Sequence, residues 1–308
     1  MKFAVFGAGG IGAYLGARLA DAGHEVHLIA RGDHLDALRR DGLRVESVAG
    51  DTAVDLPATD DPAEVGPADY VLFCVKTHDT REAAAQLDPL VGSDTAVVSF
   101  QNGIDNEAWI AEAVGERHVA GGVAKIFSTI KEPGVIEHTG GPEEFTIGEM
   151  DGTRTDRIEA LADALGACRG VTVVLSEDVR VDLWRKFAFI CAQAGMTAAT
   201  RLPTGAVRDT DAAWEMYRRI VAETVAVARA EGVDLPDGVV DNLISFAQGL
   251  DADSYSSLHY DLTHDKRLEL DGLHGAVLRH ADETGVDVPM NEAVYAVLKP
   301  WAERRSQD

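Results

Sequence analysis

The start of the chain constrains its fold more than any other segment. An apolar strand-like segment, Lys2–Phe6, runs directly into a glycine-rich loop and then into a helix-like segment, Gly10–Ala22. The loop fits the pattern G-x-G-x-x-G and consists of Gly7, Ala8, Gly9, Gly10, Ile11 and Gly12. Between a strand and a helix, such glycines permit a tight turn, close backbone approach to a pyrophosphate and close helix packing. We therefore predict that these six residues bind the pyrophosphate of a dinucleotide.

Strand-like and helix-like segments alternate up to residue 175, which is typical of a doubly wound parallel sheet. A Pro- and Gly-rich segment, Glu132–Pro142, indicates a hairpin within this region. The predicted strands are Lys2–Phe6, Glu25–Ile29, Tyr70–Val75, Ala96–Phe100, Val119–Val123, Val135–Glu137, Phe145–Gly148 and Val171–Leu175. We expect an α/β fold in which residues 1–175 form a Rossmann-type domain.

The sequence pattern changes after Ser176, where long helical segments replace the alternation. The predicted helices are Asp178–Thr200, Asp211–Glu231, Asp237–Gly249 and Leu268–Thr284. We therefore predict a second, all-helical domain over residues 176–308, with the boundary at Leu175/Ser176.

The end of the second predicted strand bears on the type of dinucleotide. Dinucleotide sites for NAD usually place a carboxylate there, to accept hydrogen bonds from the ribose hydroxyls. This chain has Arg31 at the tip, and a guanidinium can bind a 2′-phosphate through two hydrogen bonds. The residues therefore favour NADP. Asp33 leaves NAD open as an alternative. Its carboxylate could reach the ribose, as in an NAD site, or it could only cap the next helix.

Two further polar residues follow predicted strands, where ligands bind in open α/β sheets. Lys76 ends one strand and either lines the cofactor site or extends into solvent. Asn102 precedes Gly103 after the next strand, and the pair either forms a plain turn or contacts cofactor or substrate.

In the helical half, one lysine and one glutamate stand out. Lys186 lies in an apolar helical segment and shares a face with Phe189, Ile190 and Gln193. It either extends to solvent or is partly desolvated, which would lower its pKa and suit acid–base chemistry. Glu269 lies between two leucines without a local ion pair, so a distant cation such as Lys186 is a candidate partner.

Charge and composition exclude several classes of protein. The formal net charge is −24, from 28 basic and 52 acidic residues, which argues against nucleic acid as a partner. No apolar run approaches the length of a membrane span and the first residues do not resemble a signal peptide, so we expect a cytoplasmic protein. The three cysteines match no metal motif, and we expect no metal site.

Taken together, these residues resemble the ketopantoate reductase (2-dehydropantoate 2-reductase) family. The resemblance runs the length of the chain and includes the loop, Arg31, Lys76, Asn102-Gly103, Trp184-Arg185-Lys186, Ser256-Ser257 and Glu269-Leu270-Asp271-Gly272. It implies NADPH-dependent reduction of a small 2-keto acid to the 2-hydroxy acid, as in pantothenate synthesis.

The resemblance also implies a role for each site residue. Lys186 would protonate the developing alkoxide as the general acid, and Glu269 would hold Lys186 and the substrate. Asn102 would position substrate or nicotinamide, and Ser257 would help to bind the carboxylate. Arg31 and Lys76 would contact the cofactor. A homodimer is also expected, because helical second domains in such folds often mediate dimers.

One departure from the family pattern concerns the substrate. Pantoate-forming members carry asparagines four and eight residues after the lysine, and Ile190 and Ala194 occupy those positions here. Gln193 lies near the same face and could supply one amide to the substrate. The alternatives left open are a different, more apolar 2-keto acid, a 3-hydroxy acid dehydrogenase of similar architecture, and a non-catalytic NADP-binding redox sensor.

Overall fold

A computed structural model describes residues 1–305, which divide into two compact units. The N-terminal unit contains residues 1–101 and 106–179, and the C-terminal unit contains the short segment 102–105 together with the chain from Arg180 onward. The division therefore falls at Val179/Arg180, a few residues after the position that the sequence indicates. None of the helices in residues 1–305 is long and apolar enough to cross a membrane.

The N-terminal unit is built on one sheet of ten strands. The strands are β1 (Lys2–Phe6), β2 (Glu25–Ile29), β3 (Leu43–Ser47), β4 (Thr52–Val54), β5 (Ala58–Thr59), β6 (Ala68–Phe73), β7 (Val91–Ser99), β8 (Val119–Glu132), β9 (Val135–Glu149) and β10 (Thr172–Leu175). The helices are α1 (Gly10–Asp21), α2 (Gly32–Asp41), α3 (Thr80–Ala84), α4 (Asn106–Val114) and α5 (Asp156–Gly166). The α/β class predicted from the alternation of segments is confirmed.

The strand order is β4-β3-β9-β8-β7-β6-β1-β2-β5, with β10 paired to β9. All pairs are parallel except β3 with β4 and β8 with β9. In the centre of the sheet, Phe6 is in register with Ile29 on one side and Phe73 on the other, and Phe73 is in register with Ser99. The carboxyl ends of β1, β2, β6 and β7 therefore meet at one edge, where the glycine-rich loop begins.

Several elements differ from those predicted. The segments Val135–Glu137 and Phe145–Gly148 belong to one strand, β9, which pairs antiparallel with the similarly long β8 through several register shifts. The predicted hairpin is thus present but is much longer than expected. Its full length was not predicted, because glycines and charged residues interrupt the apolar pattern of both strands. Strands β3 to β5 and helices α4 and α5 were not predicted at all. Two of these strands have three residues or fewer, too short for a periodic pattern.

The C-terminal unit is helical over the part of it that the structure describes. Its helices are α6 (Val179–Thr200), α7 (Thr204–Arg208), α8 (Asp211–Ala230), α9 (Val239–Gln248), α10 (Ser257–Thr263), α11 (His274–Thr284) and α12 (Pro289–Arg305). Predicted helix Leu268–Thr284 begins only at His274, because residues 270–272 form a separate 3₁₀ turn. A single apolar core, which includes Phe187, Ile220 and Leu270, joins these helices.

Candidate active site

The three glycines of the loop pattern have different structural reasons to be glycine. Gly7 has a φ of +97°, and a Cβ there would lie 2.8 Å from the backbone nitrogen of Val75. At Gly12, a Cβ would lie 2.3 Å from the carbonyl oxygen of Gly7, so this glycine lets α1 pack on the turn. A Cβ at Gly9 would meet no protein atom within 4 Å. Packing therefore explains Gly7 and Gly12, whereas Gly9 borders open space.

The N-terminus of α1 begins at this glycine and has the polarity that an anion requires. Gly9 is the N-cap residue, no side chain caps the helix, and its first turn holds no acidic residue. The first N–H groups of a helix lack intrahelical partners and carry partial positive charge. The turn is joined to the end of β2, because the backbone amides of Gly7 and Ala8 both donate to the carbonyl oxygen of Ile29. A dinucleotide pyrophosphate fits this loop.

Arg31 stands at the carboxyl end of β2, as predicted, and is the N-cap residue of α2. Its guanidinium is paired with Asp79, which follows β6, and 77% of the Arg31 side chain is exposed. Asp79 was not predicted from the sequence as a partner of Arg31, because it lies 48 positions away in the chain. The pair holds the guanidinium at the sheet edge and leaves most of its surface open to an anion.

Lys76 and the residues after β7 lie beyond the ends of neighbouring strands. Lys76 is exposed and precedes the short 3₁₀ turn that contains Asp79. Gln101 is buried and donates from its amide to Val75 O at 2.8 Å and to Thr80 Oγ1 at 2.7 Å. Gln101 therefore fixes the backbone immediately before Lys76. The role of Gln101 was not predicted from the sequence. Because its side chain is buried, it stabilises the loop and does not contact a ligand.

Lys186 is half-buried on α6, in an apolar setting within the C-terminal unit. Trp184 and Phe187 are buried beside it in the chain, and Phe189 and Ile190 on its own face are half-buried. Ala194 is buried in the helical core. A primary ammonium in such surroundings is partly shielded from water, which suits proton transfer to a bound substrate.

The other predicted substrate contacts in this unit differ in exposure. Glu269 is 5% exposed and precedes the 3₁₀ turn at residues 270–272, whereas Ser257 is exposed in the first turn of α10. Gln193 is buried, donates to Thr204 Oγ1 at 2.6 Å and accepts a long hydrogen bond from the Tyr217 hydroxyl at 3.4 Å. The Gln193 amide thus has partners inside the helical unit, so its predicted contact with substrate would need one of these bonds to change.

The segment 102–105 brings Asn102 into the C-terminal unit. Gly103 has a φ of +106°, so the turn after Asn102 requires glycine. Ile104 packs against the helical core, and Asp105 binds Arg279 and His280 of α11 at 2.6 and 2.7 Å. These contacts were not predicted from the sequence, because no local pattern marks partners that are 174 and 175 positions apart.

A Rossmann-type sheet, a glycine loop that fits a pyrophosphate, and a half-buried lysine on a helical unit together define a nicotinamide-dependent oxidoreductase. Comparison with known proteins gives the family. Residues 3–152 match the family described as "Ketopantoate reductase PanE/ApbA", and residues 178–302 match "Ketopantoate reductase PanE/ApbA C terminal". The chain belongs to the ketopantoate reductase family, which consists of oxidoreductases acting on CH–OH groups, and it is an enzyme of this type.

Relatives and solved structures agree with this family. A 2-dehydropantoate 2-reductase of Halobacterium salinarum is 35% identical over 94% of this chain and 95% of its own length. An uncharacterized oxidoreductase of Bacillus subtilis, YkpB, is 30% identical over 98% and 99%. The crystal structure of a PanE/ApbA family ketopantoate reductase from Ralstonia eutropha superposes with a TM-score of 0.91, at 37% identity over 99% and 100% of the two chains. These matches confirm both the fold and the predicted family.

Proposed function

We propose that this enzyme reduces 2-dehydropantoate, or a closely related 2-keto acid, to the 2-hydroxy acid with NADPH, and does so in the cytoplasm. The observation that carries the proposal is Lys186, a half-buried lysine on an apolar helix in a unit that matches the family's C-terminal domain. NADPH, when bound, would supply the hydride that the carbonyl carbon accepts. The carbonyl oxygen takes up a proton, so that the ketone becomes an alcohol.

Residues of this chain would donate the proton, orient the reacting groups and bind the substrate. Lys186 places a positive charge beside the carbonyl oxygen and donates the proton. Glu269, whose buried carboxylate has little access to water, would orient Lys186 and the substrate hydroxyl. Asn102, Ser257 and Gln193 would bind the carboxylate and the remaining polar groups of the substrate.

The direct test is reduction of keto acids by the purified protein. We expect loss of the NADPH absorbance on addition of 2-dehydropantoate, with kcat/KM within the ordinary enzyme range of about 10⁴–10⁸ M⁻¹s⁻¹. The assay is run at low and high salt, because a net charge of −24 repels an anionic substrate and salt screens that repulsion. Absence of turnover with 2-dehydropantoate and with branched 2-keto acids in both conditions would contradict the proposal.

A second candidate substrate is a 2-keto acid with an apolar side chain. Ile190 offers a half-buried apolar surface one helical turn from Lys186, and Ala194 is buried in the core. An apolar pocket discriminates weakly against an added hydroxyl, typically by about 100-fold. The two candidates are distinguished by comparing kcat/KM for 2-dehydropantoate and for 2-ketoisovalerate, which lacks the hydroxymethyl group. A higher value for 2-ketoisovalerate would favour the apolar substrate.

The choice of NADP over NAD rests on Arg31. Replacing Arg31 by alanine should raise the KM for NADPH by about 10- to 100-fold, because a charge-assisted bidentate contact with the 2′-phosphate is lost. The KM for NADH should change by less than about threefold, since NADH has no such phosphate. Arg39→Ala is a suitable control, because Arg39 is a half-exposed arginine of the same helix that pairs with Asp60. Equal effects on both cofactors would argue against NADP specificity.

The expected homodimer remains a prediction. Size-exclusion chromatography with light scattering on the full chain distinguishes a monomer of 32.9 kDa from a dimer.

A further inference from the structure

Three segments of the C-terminal unit that carry predicted site residues meet at the side chains of Arg279 and His280 on α11. Asp105, in the segment that begins with Asn102, accepts from Arg279 Nη2 at 2.6 Å and from His280 Nε2 at 2.7 Å. Arg279 Nη1 also donates to the carbonyl oxygen of Asp271, two residues after Glu269, at 3.1 Å. The His280 ring packs edge-on against Trp184, with centroids 5.7 Å apart, and Trp184 precedes Lys186 by two residues on α6.

The arrangement is held by charge. Burial alone would lower the pKa of His280, but hydrogen bonds to Asp105 and Glu231 outweigh it and raise the pKa to about 9. At neutral pH the ring therefore carries a proton on each nitrogen and donates to one carboxylate from each side. The charged groups around the ring are Asp105, Glu231 at the end of α8, and Arg279 and Glu283 of α11 itself.

Burial makes this contact different from a surface ion pair. The side chains of Asp105 and His280 are 15% and 19% exposed, so water competes weakly for their hydrogen bonds. Burial opposes the ionisation of Asp105, yet hydrogen bonds from His280 and Arg279 lower the pKa of its carboxyl group. Ile104 adds an apolar contact with the helical core, so the segment is fixed at consecutive positions.

We propose that Asp105, Arg279 and His280 are positioning residues, which hold the segment 102–105 in place and thereby set Asn102 relative to the Glu269 segment and the start of α6. The proposal rests on the proposed function, in which Asn102 contacts the keto acid. None of the three residues needs to touch the substrate. Their effect is to keep the Asn102 amide in one position, so that the enzyme does not have to order the segment when substrate binds.

The test is the variant Asp105→Asn, which preserves the shape of the side chain and removes its charge. We expect the KM for the keto acid to rise about tenfold, because the segment must then be ordered at the expense of substrate binding, whereas kcat should change by less than about threefold. The double variant Asp105→Asn/His280→Gln should have a KM within about twofold of that of Asp105→Asn, because Asp105→Asn already removes the ion pair with His280.

A matched control separates positioning from general destabilisation. Glu223 accepts from the backbone amides of Met290 and Asn291 at the start of α12, both at 3.0 Å, and does not contact the segment. Glu223→Gln should lower Tm and leave the keto-acid KM within about twofold. If Glu223→Gln raises the KM as much as Asp105→Asn does, the effect is not specific to the segment and the proposal is wrong.

Amide hydrogen exchange measured by mass spectrometry provides a readout that needs no turnover. Peptides that cover residues 100–106 should exchange faster in Asp105→Asn than in the wild type or in Glu223→Gln. Unchanged exchange in Asp105→Asn, or in His280→Gln if the first variant does not fold, overturns the proposal. Absence of turnover in the wild type refutes the proposed function instead, and the exchange result alone then decides whether Asp105 holds the segment.

Discussion

Replacing Lys186 by alanine is expected to reduce kcat for the keto acid by about 1,000-fold. General acid catalysis contributes about 10²–10⁴ in rate, and the loss of a positive charge beside the developing alkoxide acts in the same direction. The affinity for NADPH, measured by fluorescence titration, should stay within about twofold, because the glycine loop and Arg31 belong to the N-terminal unit. The variant therefore separates cofactor binding from the chemical step.

Arg185→Ala is the control for Lys186→Ala. Arg185 is the adjacent cation on α6, is exposed, and pairs with Asp182 at 2.8 Å one turn earlier. An exposed pair of this kind contributes little to stability, so kcat and Tm should hardly change. Partial recovery of Lys186→Ala activity by added methylamine would show that the missing group is a proton-donating ammonium. A loss in kcat smaller than tenfold would mean that another group supplies the proton.

The parts of the fold that the sequence predicted well are those with strong local patterns. Strands β1 and β2 are largely buried parallel strands in the sheet, and their apolar residues placed both ends at the correct positions. The long pair β8 and β9 is different, because Gly140 and Gly141 and a run of charged residues interrupt it, and pairing through bulges tolerates such residues. The full length of β8 and β9 therefore could not be predicted from local periodicity.

The candidate site shows the same division between local and distant information. The loop at residues 7–12 was predicted from the sequence because strand, glycines and helix follow one another directly. Arg31 could likewise be placed at the end of a strand, but its partner Asp79 could not, because that pair forms only when β6 is in register beside β1. Asp105 and His280 are further apart still, and only tertiary packing brings them together.

The glycine loop supports the second prediction with a large expected effect, on cofactor affinity. Replacing Gly9 by valine should weaken NADPH binding by at least about 100-fold, which corresponds to about 2.8 kcal/mol. The backbone at Gly9 is extended, with φ −77° and ψ −165°, so a β-branched residue fits it without strain. The added side chain would occupy the open space in front of the helix N-terminus and keep the pyrophosphate away from the backbone amides.

Two glycine controls make this result specific. Gly166→Val also adds a side chain where a Cβ meets no protein atom within 4 Å, but on α5, and should leave the dissociation constant of NADPH unchanged. Gly12→Ala should act mainly on stability, since its Cβ would lie 2.3 Å from Gly7 O and 2.9 Å from Val5 Cγ1, and such overpacking costs about 1–3 kcal/mol. Thermal unfolding without cofactor should therefore show a larger fall in Tm for Gly12→Ala than for Gly9→Val, which loses only a favourable N-cap residue of α1. If Gly9→Val retains wild-type affinity, the open space beside Gly9 does not receive the pyrophosphate, and the cofactor assignment loses its structural basis.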